Sequence, residues 1–126
     1  MGLRDKERNV SENVKEIGQA EYEAEVVGAS ERMPVVLDFY STECPPCEAL
    51  APKFEAVAEQ YAGKVRFLKV FRQGNRELAE KLGVTGSPTL IFFRGGREVG
   101  TRLSGEDIKR SALKQQVEEM LAQAAA

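Results

Sequence analysis

The run PVVLDFY, Pro34 to Tyr40, constrains this chain more than any other stretch. It is β-branched at its start and apolar on both faces, so neither face suits water. A strand of this kind is central and covered on both sides, which calls for a sheet sandwiched between helices. Two further strand-sized apolar runs follow, Lys64 to Phe71 and Pro88 to Arg94. Between PVVLDFY and Lys64 the period turns helical. Leu50, Phe54, Val57, Ala58 and Tyr61 make one stripe over Pro46 to Tyr61. Pro45 and Pro46 suit its first turn, where a missing N–H costs little, and Pro52 inside it is expected to kink it. QAEYEAEVVGASER gathers Tyr22, Val26 and Val27 on one side and reads as an earlier amphipathic helix. Asn75 to Leu82 reads as a short helix, N-capped by Asn75 and closed by Gly83. Gly95-Gly96 predicts a tight hairpin between Pro88–Arg94 and Arg97–Leu103. SGED, Ser104 to Asp107, reads as a capping box opening a last helix, whose stripe is Ile108, Leu113, Val117, Met120 and Leu121. Asn13 to Ile17 reads as a short edge strand. The order β-α-β-α-β-α-β-β-α predicts an α/β fold: a mixed central β-sheet flanked by helices on both faces.

With 126 residues the chain fits one domain spanning residues 1–126, with residues 1 to about 12 as a charged peripheral lead-in. Its 42% hydrophobic content is enough for a packed core. Eighteen Lys and Arg against twenty Asp and Glu give a net charge of -2, which is no electrostatic footprint for nucleic acid. The longest apolar runs are strand-sized, so no membrane span is expected. MGLRDKERNVSENVK lacks the apolar segment of a signal peptide, and the expected location is cytoplasmic. A monomer is expected.

The chain has two cysteines, Cys44 and Cys47, and no histidine. They sit in STECPPCEAL, after a predicted buried strand and at a predicted helix start. Backbone N–H groups and the helix dipole stabilise an anion there, and the thiolate is the form that attacks disulfides. Cys47, one turn on, is placed to attack a mixed disulfide at Cys44 and release the product. A static disulfide is the plain alternative, but so small a loop adds little stability. Zinc wants four ligands, so a metal site would have to be shared across a dimer. No cofactor is expected beyond a redox-active Cys44–Cys47 disulfide.

Two charges fall inside apolar strands, Asp38 and Lys69. They are either a structural pair or a device for moving protons. Asp38 lies six residues before Cys44, where a carboxylate whose pKa is raised by burial can take the proton of Cys47. In GSPT, Gly86 to Thr89, the Ser87–Pro88 bond is trans on the ordinary preference.

Taken together, DFYSTECPPCEALAP, Lys69 and GVTGSPTLIFFRGG resemble thioredoxin, and the similarity covers roughly residues 13 to 122. The resemblance implies the thioredoxin fold and thiol–disulfide exchange. It implies that Cys44 is the nucleophile, Cys47 the resolving thiol, Asp38 the buried acid and Lys69 its neighbour. It makes Pro88 a cis-proline packed against the cysteines. Ser87 then offers its backbone to an extended substrate, with Ser104 and Gly105 bordering the groove. The implied partners are protein disulfide substrates and an upstream disulfide reductase or other electron donor.

Against the family pattern, Glu43 stands where tryptophan is usual, Pro45 replaces the glycine of CGPC, and Glu48 replaces a lysine. Ser87 replaces an aliphatic residue, and FRQGN replaces an acidic turn. Pro45 removes a possible donor to the Cys44 sulfur, and Glu43 and Glu48 disfavour a thiolate. Both effects predict a reducing pair, hence a reductase. Glu43, Pro45 and Pro46 line the expected groove rim, where charge sets partner choice and association rate. The alternatives are a thioredoxin-like partner-binding module, or a disulfide oxidase or isomerase.

Overall fold

The computed structural model of the chain describes residues 12–124, and the expected lead-in falls outside them but for its last residue. Five strands make one mixed sheet in the order β1-β3-β2-β4-β5. They are β1 (Val14–Glu16), β2 (Val35–Tyr40), β3 (Arg66–Phe71), β4 (Thr89–Arg94) and β5 (Arg97–Ser104). β3 runs parallel to both β1 and β2, while β4 is antiparallel to β2 and to β5. Among the described residues three α-helices cover the sheet: α1 (Pro45–Gln60), α2 (Arg76–Lys81) and α3 (Arg110–Ala124). Among the described residues no helix is long and apolar enough to cross a membrane.

PVVLDFY is the central strand β2, as its apolar run predicts. Its side chains alternate between two cores. Val36 faces Leu50, Phe54 and Val57 of α1 and Leu113, Val117 and Met120 of α3. Val35, Leu37 and Phe39 face the opposite way, against Tyr22, Val26, Leu78 and Ala79. Burial of each such side chain contributes about 1.5–3 kcal/mol, so two filled faces hold β2 in register far more firmly than one would. α1 runs through Pro52 as a single element.

The segment read as one amphipathic helix is a succession of tighter and wider turns: 3₁₀ at Gln19–Glu21, π at Glu23–Gly28 and 3₁₀ again at Ala29–Glu31. Val26-Val27-Gly28 is a weak helix-forming run, so packing decides the winding. The wide turn brings Tyr22, Val26 and Ala29 together onto the sheet, whereas Val27 is only partly buried.

Asn75 does occupy the N-cap position of α2, but its side chain makes no cap bond. Its Oδ1 accepts the Gln19 N–H at 2.8 Å and its Nδ2 donates to the Phe71 carbonyl at 2.8 Å. Gln19 returns the bond, accepting the Leu78 N–H on Oε1 at 3.1 Å. The open donor of α2 is therefore satisfied by a residue distant in sequence on the same face of the sheet rather than by its own cap.

SGED opens no helix. Ser104 ends β5 opposite Thr89, and α3 starts only at Arg110. Gly105 and Asp107 have φ of +86° and +63°, which breaks helical winding between them. The expected apolar stripe survives, with Ile108, Leu113, Val117 and Met120 buried. The Gly95-Gly96 hairpin forms as predicted, both residues at positive φ, and Ser30 anchors it by accepting both glycine N–H groups, on its carbonyl and its hydroxyl, at 2.8 Å. The β4–β5 register then slips between Leu90 and Phe92, a bulge on the β5 side at Gly100.

Candidate active site

β2 ends at Tyr40, and a three-residue turn delivers Cys44 to the start of α1 as its N-cap. Pro45 and Pro46 follow in the first turn. Cys44 and Cys47 lie one turn apart, with Cα atoms 5.2 Å from each other, and are joined as a disulfide. The Cys47 N–H donates to the Cys44 Sγ at 3.2 Å. A side chain at the N-cap takes its bond from the second or third helical N–H. Pro45 holds the first position, so the donor it lacks is not the one that caps the sulfur, and its effect on Cys44 is smaller than the sequence reading assumed.

The Cys44 Sγ also lies 3.7 Å from the Ser87 carbonyl oxygen. The Ser87–Pro88 bond is cis, as the family resemblance implies and against the ordinary trans preference. The Pro88 carbonyl accepts the Gly105 N–H at 3.1 Å, and the Thr89 hydroxyl donates to the Gly86 carbonyl at 2.8 Å. These bonds bring Ser87, Pro88, Ser104 and Gly105 to one rim beside the cysteines. Glu43 is exposed on the turn that leads into Cys44 and holds φ at +51°. Glu48, on the first turn of α1, is exposed too.

Asp38 shares the face of β2 with Val36, so it points into the layer covered by α1 and α3. It is only 7% exposed, and its Oδ1 has no hydrogen-bond partner. Burial pushes its pKa up from 3.8 to about 7, a rise that the positive charge of Lys69 partly offsets. Lys69 is its register partner on β3. No direct ion pair joins them among the described residues; instead the Lys69 Nζ stands 5.3 Å from the centre of the Tyr40 ring. Tyr40 in turn donates from its hydroxyl to Glu16 at 2.7 Å. Among the described residues no group of three or more Cys, Asp or Glu is placed to hold a metal ion.

Sequence reasoning missed the residues that hold the two active-site loops. They lie in FRQGN, which reads from the sequence only as a departure. The Arg72 Nε donates to the Ser87 Oγ at 2.8 Å, and the Ser87 hydroxyl is 2.5 Å from that of Ser41. Gln73 Oε1 accepts both the N–H and the hydroxyl of Thr42, at 2.9 and 3.1 Å. Two consecutive side chains thus clasp the loop facing Cys44 and the loop leading into it. The available signal was departure from the family pattern: Ser87 replaces an aliphatic residue and FRQGN an acidic turn, and neither names its partner.

Fold and site together define a thioredoxin-fold protein with a two-residue spacer between disulfide-bonded cysteines. The chain belongs to the thioredoxin family, whose model, Thioredoxin, matches residues 13–119. It is 33% identical over 109 residues to Thioredoxin X, chloroplastic, of Arabidopsis thaliana, covering 86% of this chain and 58% of that protein. It is 39% identical over 67 residues to Thioredoxin 1 of Nostoc, covering 53% of this chain and 63% of that protein. With Thioredoxin of Haemophilus influenzae it shares 33% over 90 residues, 71% of this chain and 82% of that one. The chain thus spans less than two thirds of the Arabidopsis and Nostoc relatives.

Proposed function

We propose that the protein is a thiol–disulfide oxidoreductase that reduces protein disulfides. The observation that carries this reading is the Cys44 sulfur, bonded by the Cys47 N–H at a helix start and facing the cis-proline loop. In the dithiol form the Cys44 thiolate attacks one sulfur of a substrate disulfide. A mixed disulfide forms and one substrate thiolate leaves. Cys47 then attacks the Cys44 sulfur, releasing the second substrate thiolate and leaving the pair oxidised by two electrons. Asp38, buried and with its pKa near 7, is the base that takes the Cys47 proton. An external dithiol, supplied by a disulfide reductase or another donor, returns the pair to the reduced state. A reducing compartment such as the cytoplasm suits this direction of flow.

The reduction potential of the Cys44–Cys47 pair tests the reading. The protein is equilibrated in thiol–disulfide buffers, alkylated, and its modified cysteines counted by mass. A strongly reducing value supports the reductase. An oxidising value reverses the direction to disulfide formation or isomerisation. Absence of any reversible two-electron step points instead to a partner-binding module, for which Cys44→Ser would retain partner binding.

A further inference from the structure

Ser87 links two residues of opposite character: its carbonyl faces the Cys44 sulfur and its hydroxyl, which also meets that of Ser41, accepts from the Arg72 Nε. Arg72 is therefore one residue removed from the reacting sulfur. A guanidinium carries five N–H donors, and the bond to Ser87 uses the one on Nε. The two Nη groups remain, and they present a planar fork that matches a carboxylate. Arg72 is half-buried and forms no ion pair among the described residues. It lines a hollow of about 410 Å³ together with Gln73, Arg76, Ala79, Glu80 and Val84. Two arginines against one glutamate leave that hollow with an excess positive charge. The tether on Nε fixes the fork in one orientation before any ligand arrives, which lowers the ordering cost of binding.

We propose that Arg72 determines substrate choice, receiving on its Nη groups a carboxylate carried by the substrate close to its disulfide-bonded cysteine. The fitting substrate is an acidic peptide segment lying along the Ser87–Pro88 loop. This assignment rests on the dithiol-exchange reading. Glu43, exposed on the loop that leads into Cys44, repels acid, so the two charges together orient the segment: its acidic side lies towards Arg72 and away from Glu43.

The test uses the full chain in its dithiol form and two peptides. Each contains one internal disulfide; they differ only in having glutamate or glutamine on either side of the attacked cysteine. The ratio of their second-order rate constants is the readout, because general effects of a substitution on folding or on loop position cancel within one variant. A charge-assisted bond at a half-buried cation predicts a ratio of about five to ten in favour of glutamate. The ratio should fall to about one in Arg72→Gln and in Arg72→Met, which keeps the aliphatic stem. Arg72→Lys, which keeps the charge without the fork, should lie between. Raising the salt should lower the wild-type ratio. A wild-type ratio of one, or a preference that persists in both neutral variants, overturns the assignment while leaving exchange intact. Failure to reduce either peptide overturns the exchange reading and the assignment with it.

Discussion

Replacing Asp38 with asparagine isolates the cost of keeping a carboxyl inside the sheet. The side chain is 7% exposed and its Oδ1 lacks a partner, so ionisation there is opposed mainly by burial. Its pKa rises from 3.8 to about 7, and each tenfold is worth about 1.4 kcal/mol. The ionised carboxylate therefore costs the fold about 4 kcal/mol, an upper figure because buried sites relax. Between about pH 4 and pH 7 the folded chain holds a proton that the unfolded chain has released. Stability accordingly falls as the pH rises through that window and levels off above it. Asparagine cannot ionise, so Asp38→Asn should match the wild type near pH 4 and exceed it by up to about 4 kcal/mol at pH 8. Urea unfolding of the oxidised forms at several pH values measures this, and subtracting the two profiles removes the other carboxylates. The same variant should resolve mixed disulfides more slowly, having lost the base for Cys47. A stability difference that stays constant from pH 5 to pH 8 would refute the burial argument, and an unchanged resolution rate above neutral pH would remove Asp38 from the proton transfer.

Phe54→Ala should cost about 3–5 kcal/mol in denaturant unfolding, since the ring is 2% exposed and packs edge-on against Phe67 at 5.3 Å. Asn75→Ala breaks the bonds to Gln19 and Phe71 and should cost about 1–3 kcal/mol, with faster hydrogen exchange at the Gln19 amide. At Glu43, whose φ is +51°, glycine fits and a β-branched residue does not; Glu43→Gly should exceed Glu43→Val by about 1–2 kcal/mol in thermal or chemical unfolding.

What the sequence discloses here follows the range of the physics. The apolar periods of PVVLDFY and of the α1 stripe are local and repeat, so they predict β2, α1 and both cores. The expected roles of Cys44, Cys47, Asp38 and Pro88 come from motif spacing and family resemblance; the structure adds a Cys44–Cys47 disulfide, a buried Asp38 and a cis Ser87–Pro88 bond. The SGED reading fails because Ser104 belongs to the β4–β5 ladder, and a ladder outweighs a four-residue signal. Asn75 fails as a cap because Gln19, distant in sequence, competes for it. The Arg72–Ser87–Ser41 and Gln73–Thr42 bonds join residues from separate loops. No local pattern announces them, since only the finished sheet brings those loops together.

An open sheet exposes two rows of unpaired backbone groups, and each is a template for stacking one copy of a chain on the next. β1 offers only three residues. β5 is longer, but it is bent at Gly100, where a side chain would run into Gln116 of α3. Gln116 accepts the Thr101 N–H at 3.0 Å, taking out of play a donor that the bulge exposes. Arg102 grips Glu98 with two bonds along the same strand, at 2.7 and 2.9 Å. The irregularity that spoils the β4–β5 register thus guards the sheet against aggregation: a crowded solution meets a kinked, charged border where a flat one would seed fibres.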